Sequence, residues 1–329
     1  MGKPSLNLIK NILLLRGYKI NILLRAYSNA PLLLCLATLG WGGNTIAGRL
    51  AAGDISPMVI VFLRWSLVVP LLLLIQRNKI KESLPVIREN LRWIFFMGAA
   101  GLAAFNILFY QAAHYTTAIN LGVIQGVMPA FILIFSLIFY KTKVIKIEIV
   151  GLFVSLFGVL VIVSKGNLMY LLTLSVNSGD ILILLAVFGY AGYAVALKKR
   201  PNLDMMTLFT FFAISAWLTS IPFVLIEGWL GYIEWPHSFG WLIVFYIALA
   251  PSFMSQIFFI RSVDLIGPGK AGLYTNLVPI YAAVLGVLIL GESFRLYHFI
   301  SLLLVFLGIY VFSVLGDKYK AQLNSTHLK

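Results

Sequence analysis

Long runs of apolar residues follow one another along most of the chain, and short segments between them carry nearly all of the charges. A helix needs about 20 such residues to cross a bilayer. Ten runs have suitable length, at 31–51, 57–75, 92–113, 118–140, 147–164, 179–197, 205–226, 239–260, 269–290 and 297–315. The pattern predicts an all-α membrane protein with ten transmembrane helices.

The basic residues between these runs predict an orientation. If the N-terminus is cytoplasmic, 21 of the 25 Lys and Arg residues fall on the cytoplasmic side, and only Arg49, Lys165 and Arg295 fall on the other. Arg64 lies within the second run. Positive charge accumulates in cytoplasmic loops of membrane proteins, and a missed or invented span would spoil the asymmetry. We therefore expect both termini in the cytoplasm.

The two ends of the chain differ from its centre. Residues 1–30 interleave Lys and Arg with Leu and Ile, and their apolar pieces are too short to span a bilayer. A basic amphipathic segment on the membrane surface is the favoured interpretation, and an organellar transit peptide would look similar. Residues 317–329 form a predicted cytoplasmic tail.

The composition agrees with lipid exposure and excludes several classes of function. The chain of 329 residues is 61% hydrophobic and 11% charged, far below the charge of a soluble domain. Its net charge of +14 is explained by the loops, so nucleic-acid binding is not expected. One cysteine and four scattered histidines predict no metal site. Without a Walker loop or a nucleophile elbow, we expect neither an enzyme nor a bound cofactor.

The chain also resembles itself at an offset of 150 residues. Residues 93–165 match 243–315 without a gap, and glycines and prolines fall in register: Ala100 with Ala250, Gly122 with Gly272, Pro129 with Pro279 and Gly158 with Gly308. The match predicts two five-helix repeats, at 31–165 and 179–316. Because five is odd, the repeats would be inverted, an arrangement that supports alternating access around a site near the midplane. Duplication without transport is the alternative.

Several short motifs carry a resemblance to a known family. They are Trp41–Gly42, Leu63–Arg64–Trp65, Pro129, Ser178–Gly179–Asp180, Pro279 and Leu290–Gly291–Glu292. In this order and spacing the chain resembles the EamA branch of the drug/metabolite transporter superfamily over about residues 31–316. The resemblance implies a ten-helix basket with a cavity lined by spans 1, 3, 4, 6, 8 and 9. It also implies transport of small metabolites, commonly amino-acid efflux. Tyr140–Lys141–Thr142 replaces the glutamate motif in the first half.

Polar residues inside the predicted spans are candidates for the cavity. Asn106 and Gln256 are related by the 150-residue offset, and Tyr110 shares a helix face with Asn106. A polar group in a span is costly unless it faces protein or water. We predict that these side chains line the substrate cavity; hydrogen bonding between helices is the alternative.

Further candidates follow the same reasoning. Trp41 and Asn44 in span 1 correspond to Tyr190 and Tyr193 in span 6, and aromatic rings would suit a partly apolar substrate, although ordinary core packing is equally compatible. Gln125, four residues before Pro129, is a further candidate, and Tyr274 and Asn276 in span 9 are weaker ones. Arg64 could bind a carboxylate, but the resemblance favours a role in supporting the scaffold.

The leading hypothesis is a secondary transporter that exports small metabolites such as amino acids. An uptake or exchange carrier for a nucleotide-like or other organic metabolite, and an intramembrane enzyme or assembly factor, are the alternatives. The expected partners are a small substrate and the lipid bilayer of a bacterial inner membrane. The sequence leaves the oligomeric state open, and a monomer is compatible with it. Because no Asp or Glu lies at a span centre, facilitated diffusion or exchange is compatible with the chain.

Overall fold

The computed structural model describes residues 25–51, 54–113, 115–116, 121, 124–173, 177–291 and 293–326. Within these residues the protein is all-helical, with no strand. The predictions made for residues 1–24, Gly122 and Glu292 lie outside the described part.

Nine helices of the described chain have the length and hydropathy needed to cross a membrane, and one apolar helix is shorter. They are α1 (Ala30–Ala51), α2 (Pro57–Glu89), α3 (Leu91–Ala112), the shorter α4 (Ile124–Tyr140), α5 (Lys146–Val163), α6 (Ser178–Lys199), α7 (Met205–Trp229), α8 (Ser238–Ile266), α9 (Pro268–Leu290) and α10 (Leu296–Gln322). Each of the ten predicted runs therefore coincides with a helix, and the main differences are at helix ends.

Helix α2 is much longer than the apolar run that predicts it. The run ends at residue 75, whereas the helix continues to Glu89. At 1.5 Å per residue, 33 residues extend for about 50 Å, well beyond the hydrocarbon core. The charged extension is held against α7, because Lys79 pairs with Asp204 at 3.1 Å and Gln76 accepts a hydrogen bond from Thr207. Apolar length alone gives no sign of this extension.

The helices pack in adjacent pairs. Helix α5 lies along α10, α2 along α7, and α1 along both α8 and α9, while α6 lies along α3 and α4. Glycines permit a close approach between α5 and α10: a Cβ on Gly308 would lie 2.5 Å from the backbone nitrogen of Ser155, and one on Gly151 would lie 2.6 Å from that of Phe312. Small residues commonly allow this approach in membranes.

Helices α3 and α8 each contain a π-helical turn in their central part, and α10 contains a third one nearer its C-terminal end, at Val311–Leu315. The two central turns cover Ala99–Ala104 in α3 and Ala248–Met254 in α8. Such wide turns leave a backbone carbonyl without its usual partner and often occur at functional sites. In α8 the Ser252 hydroxyl donates to the Ile247 carbonyl at 2.5 Å, and the Trp41 indole donates to the Pro251 carbonyl at 3.2 Å. These contacts satisfy the turn and attach it to α1.

Helices α4 and α9 are interrupted just before their prolines. In α4 a turn at Val127 precedes the segment Met128–Tyr140, and in α9 a tighter turn covers Tyr274–Asn276. Proline lacks the amide hydrogen that a continuous helix needs, so a break in front of it is expected. Helix α9 begins after Gly267, whose φ of 81° lies in the left-handed region that favours glycine.

Candidate functional site

A cavity of about 260 Å³ lies among the helices of both halves. It combines four aromatic side chains with several polar ones: the lining is Trp41, Asn44, Thr45, Arg64, Gly101, Phe105, Asn106, Phe109, Leu121, Gln125, Met128, Val163, Tyr190, Gln256, Thr275, Val278, Pro279 and Ala282. Apolar walls with a few polar groups are typical of small-molecule sites.

Arg64 is the only charged residue among the described residues that line this cavity. Its side chain is buried, with 3% of the residue exposed, and no carboxylate of the described chain pairs with it. Its Nε donates to the Ser252 hydroxyl at 2.6 Å, and one terminal nitrogen donates to the Asn106 side-chain oxygen at 2.9 Å. A buried charge without a counter-charge is costly, so the cavity favours an anionic group.

The same contacts place Arg64 between the two π-helical turns. Ser252 lies within the turn of α8, and Asn106 follows the turn of α3 and donates to the Leu102 carbonyl inside it at 2.6 Å. The guanidinium therefore links one wide turn to the other across the cavity.

Three lining residues hold buried polar atoms without a hydrogen-bond partner in the described chain: the Asn44 Oδ1, the Gln256 Oε1 and the Tyr190 hydroxyl. The Gln256 Oε1 and the Tyr190 hydroxyl lie close together, but their geometry is not that of a hydrogen bond. Unpartnered buried polar groups are rare, and each calls for a ligand, a water or an ion. Because Asn44 and Gln256 present oxygen acceptors, they are suited to a ligand that donates hydrogen bonds.

The aromatic wall is ordered by ring contacts. Trp41 and Tyr190 meet edge to face with centroids 6.1 Å apart, and Phe105 lies 5.4 Å from Tyr190. Phe105 and Phe109 are stacked at 6.1 Å. These interactions fix the rings on one side of the cavity, so they provide an apolar surface for a ligand.

The predicted residues divide between the cavity and its surroundings. Seven line it: Trp41, Asn44, Arg64, Asn106, Gln125, Tyr190 and Gln256. The other four are buried beside it. Tyr193 lies against Gly101 and Phe212, Tyr110 contacts the ring of Phe109, and Asn276 donates to the Ser155 hydroxyl at 3.0 Å, while Tyr274 is 6% exposed. None of these four is among the described residues that line the cavity.

The sequence reasoning missed Phe105, Phe109 and Ser252. Phe105 precedes Asn106, and Phe109 follows it by three residues. Their closeness to Asn106 on the same helix could therefore have predicted that they line the cavity. Ser252 is 188 residues from Arg64, and no local pattern links them.

Comparison with known proteins identifies the family. The sequence profile of the EamA-like transporter family matches the chain twice, at residues 28–164 and 177–314. The chain belongs to the EamA-like transporter family. The predicted resemblance is therefore confirmed, and with its apolar helices the protein is a multi-pass integral membrane protein and a transporter rather than an enzyme.

Other EamA-like transporters match over most of their length. The uncharacterized transporter YetK of Bacillus subtilis is 25% identical over 292 residues, covering 88% of each chain. An uncharacterized transporter of Archaeoglobus fulgidus is 26% identical over 288 residues, covering 86% of this chain and 97% of its own. A crystal structure with 17% identity superposes with a TM-score of 0.71 over 88% of this chain and 98% of the other, which supports the fold.

Proposed function

We propose that this transporter is a secondary carrier that exports small metabolites, in particular α-amino acids with apolar side chains, by alternating access. The observation that carries the proposal is the polar pattern of the cavity. Arg64 supplies an uncompensated cation for a carboxylate, Asn44 and Gln256 supply unpartnered oxygens for an ammonium group, and aromatic rings supply an apolar wall. A zwitterion with an apolar side chain satisfies all three.

We further propose that the ten helices form two inverted five-helix repeats. Helix contacts support this. Helix α1 packs against α8 as α6 packs against α3, and α1 packs against α9 as α6 packs against α4, so each contact in one half has an equivalent in the other. The π-helical turns beginning at Ala99 and Ala248, and the interruptions before Pro129 and Pro279, recur at offsets of 149 to 150 residues. Equivalent irregularities at equivalent positions support a shared ancestral unit.

The proposed location is the bacterial inner membrane, with both termini in the cytoplasm. The asymmetry of basic residues supports this orientation, because the loops assigned to the cytoplasm hold nearly all of them. A nucleotide-like substrate is less compatible with the cavity, since phosphates would need several cations and Arg64 is the one available among the described lining residues.

The test measures transport of labelled amino acids by the purified protein in liposomes. We expect Asn44→Ala and Gln256→Ala each to raise KM about tenfold, because each removes a hydrogen bond to a charged group. Counterflow, in which unlabelled substrate inside accelerates uptake of label, should be present in the wild type. Absence of counterflow for every amino acid would contradict the proposal.

Asn276→Ala is the matched control. This amide is more buried than Asn44 and Gln256, and it donates to the Ser155 hydroxyl rather than lining the cavity. We expect its removal to lower the melting temperature while KM stays unchanged. Equal KM values for the cavity variants and the wild type would show that the amides only hold helices together.

A further inference from the structure

A second pocket, of about 210 Å³, lies at the end of the bundle where the loops are basic. Its walls come from the end of α4, the following segment, the first turn of α5, and the adjoining ends of α6, α8, α9 and α10. Both halves of the chain therefore contribute to it. It shares no lining residue with the central cavity.

Positive charge exceeds negative charge in this pocket. Four lysines line it, and Glu148 is the one carboxylate among the described lining residues. Glu148 is neutralised by Lys320 at 2.7 Å, and Lys270 pairs with Asp317 at 2.5 Å. The remaining lysines, Lys143 and Lys198, make no ion pair with the described chain; Lys198 instead stacks 4.5 Å above the Tyr140 ring. Two cations thus remain for an external anion.

Hydroxyl groups in the wall also lack partners. Serines and threonines inside helices commonly donate to the carbonyl four residues earlier, as Ser262, Ser301 and Thr210 do in this protein. Ser136 is 3% exposed, yet its hydroxyl has no partner in the described chain, and the same holds for Thr142. A buried donor is costly to leave unpaired, so a ligand at this position would satisfy it.

We propose that this pocket binds the phosphate of an anionic phospholipid headgroup. Lysines and hydroxyl groups are suited to phosphate oxygens. The neighbouring surface distinguishes a lipid from a soluble anion, because apolar side chains continue from the pocket along α4 and α5 and are widely exposed: Ile138 is 63% exposed, Phe139 65%, Ile149 42% and Phe153 62%. A headgroup in the pocket would place its acyl chains on this surface.

In the proposed orientation, the pocket lies at the cytoplasmic leaflet, where anionic lipid is available. Anionic headgroups enrich the cytoplasmic leaflet, and basic pockets between transmembrane helices bind them. A lipid bound here would contact both halves of the bundle at the same time, so its occupancy would restrain movement of one half against the other. This inference does not depend on the identity of the transported substrate.

The test compares two double variants with the same loss of charge. Lys143→Gln with Lys198→Gln removes the two unpaired cations of the pocket, whereas Lys141→Gln with Lys146→Gln removes two neighbouring lysines that do not line it. Native mass spectrometry of the purified protein with added phosphatidylglycerol or phosphatidylcholine measures bound lipid. We expect one tightly bound phosphatidylglycerol, with affinity falling about fivefold for each lost pocket lysine and remaining unchanged in the control.

Two further arms complete the test. Ser136→Ala removes a hydrogen-bond donor without changing the charge, so weaker binding of phosphatidylglycerol by this variant supports a formed site. The same variant tests the proposal if the lysine variants fold poorly. Inorganic phosphate and glycerol phosphate at millimolar concentration should not displace the lipid. Displacement by either, equal losses in both double variants, or equal binding of the two lipids would overturn the proposal.

Discussion

At the scale of residues, the central cavity was partly visible in the sequence. Asn106 and Gln256 could be predicted because they are polar residues within apolar runs and are related by the 150-residue offset. Both line the cavity. Ser252 could not be found in this way, since its contact with Arg64 joins helices that are distant in sequence. Tyr193 and Tyr274 are buried but do not line the cavity, because the sequence does not distinguish a packed ring from a cavity wall.

Arg64 gives a prediction that separates substrate binding from support of the scaffold. Arg64→Met keeps an unbranched but shorter side chain, loses the two hydrogen bonds to Ser252 and Asn106, and removes an uncompensated buried charge. Because these effects on stability oppose each other, we expect a small change in melting temperature. Transport of amino acids in liposomes should fall at least about tenfold, as expected for a lost charged contact.

The control for this variant is a change of substrate. Amines that match the amino acids but lack the carboxylate should be transported equally by the wild type and Arg64→Met. If both classes of substrate lose transport to the same degree, the arginine acts through the scaffold, as the family resemblance favoured.

At the scale of elements, apolar runs located the nine candidate spans of the described chain and its shorter apolar helix, but not the helix ends. Helix α2 continues for 14 residues beyond its predicted end, because contacts with α7 stabilise a polar extension that hydropathy does not detect. The π-helical turn of α8 is equally invisible, since the Trp41 indole of α1 satisfies its Pro251 carbonyl. Sequence periodicity describes one helix at a time, whereas these features belong to pairs.

The contact between α5 and α10 gives a prediction for Gly308→Ala. The added Cβ would meet the backbone of Ser155 at 2.5 Å, so the two helices must separate. Overpacking of this kind typically costs about 1–3 kcal/mol. We expect a lower melting temperature in detergent micelles, followed by fluorescence-detected size exclusion.

Gly189→Ala in α6 is the corresponding control. No heavy atom lies within 4 Å of the position that its Cβ would occupy. Since alanine favours the helix over glycine by about 1 kcal/mol, stability should stay equal or rise slightly. Equal destabilisation by the two substitutions would contradict the proposed packing.

At the scale of the whole molecule, the distribution of charge supports the proposed orientation in the membrane. Lysines gather at the end of the bundle that holds the second pocket, and the opposite end carries exposed aromatic residues such as Trp229 and Tyr232. Cations are retained on the cytoplasmic side and aromatic residues favour the interface. The two ends should therefore face different compartments.

Labelling of single cysteines tests this orientation. In a Cys35→Ser background, which removes the native cysteine, we expect Tyr232→Cys to react with a membrane-impermeant maleimide in intact cells. Lys318→Cys should react only after the membrane is permeabilised. Both sites are exposed in the fold, so reaction of both from outside, or the reverse order, would refute the assignment.

The wide turns in α3 and α8 have a geometric consequence for Asn106 and Gln256. A helix that accommodates one extra residue in a turn can return to regular winding only by advancing its register, and one residue corresponds to a rotation of about 100°. Both amides lie just beyond such a turn. Rewinding to a regular helix would therefore rotate the Asn106 and Gln256 side chains away from the wall of the central cavity. The same movement would break the hydrogen bond between Arg64 and Asn106.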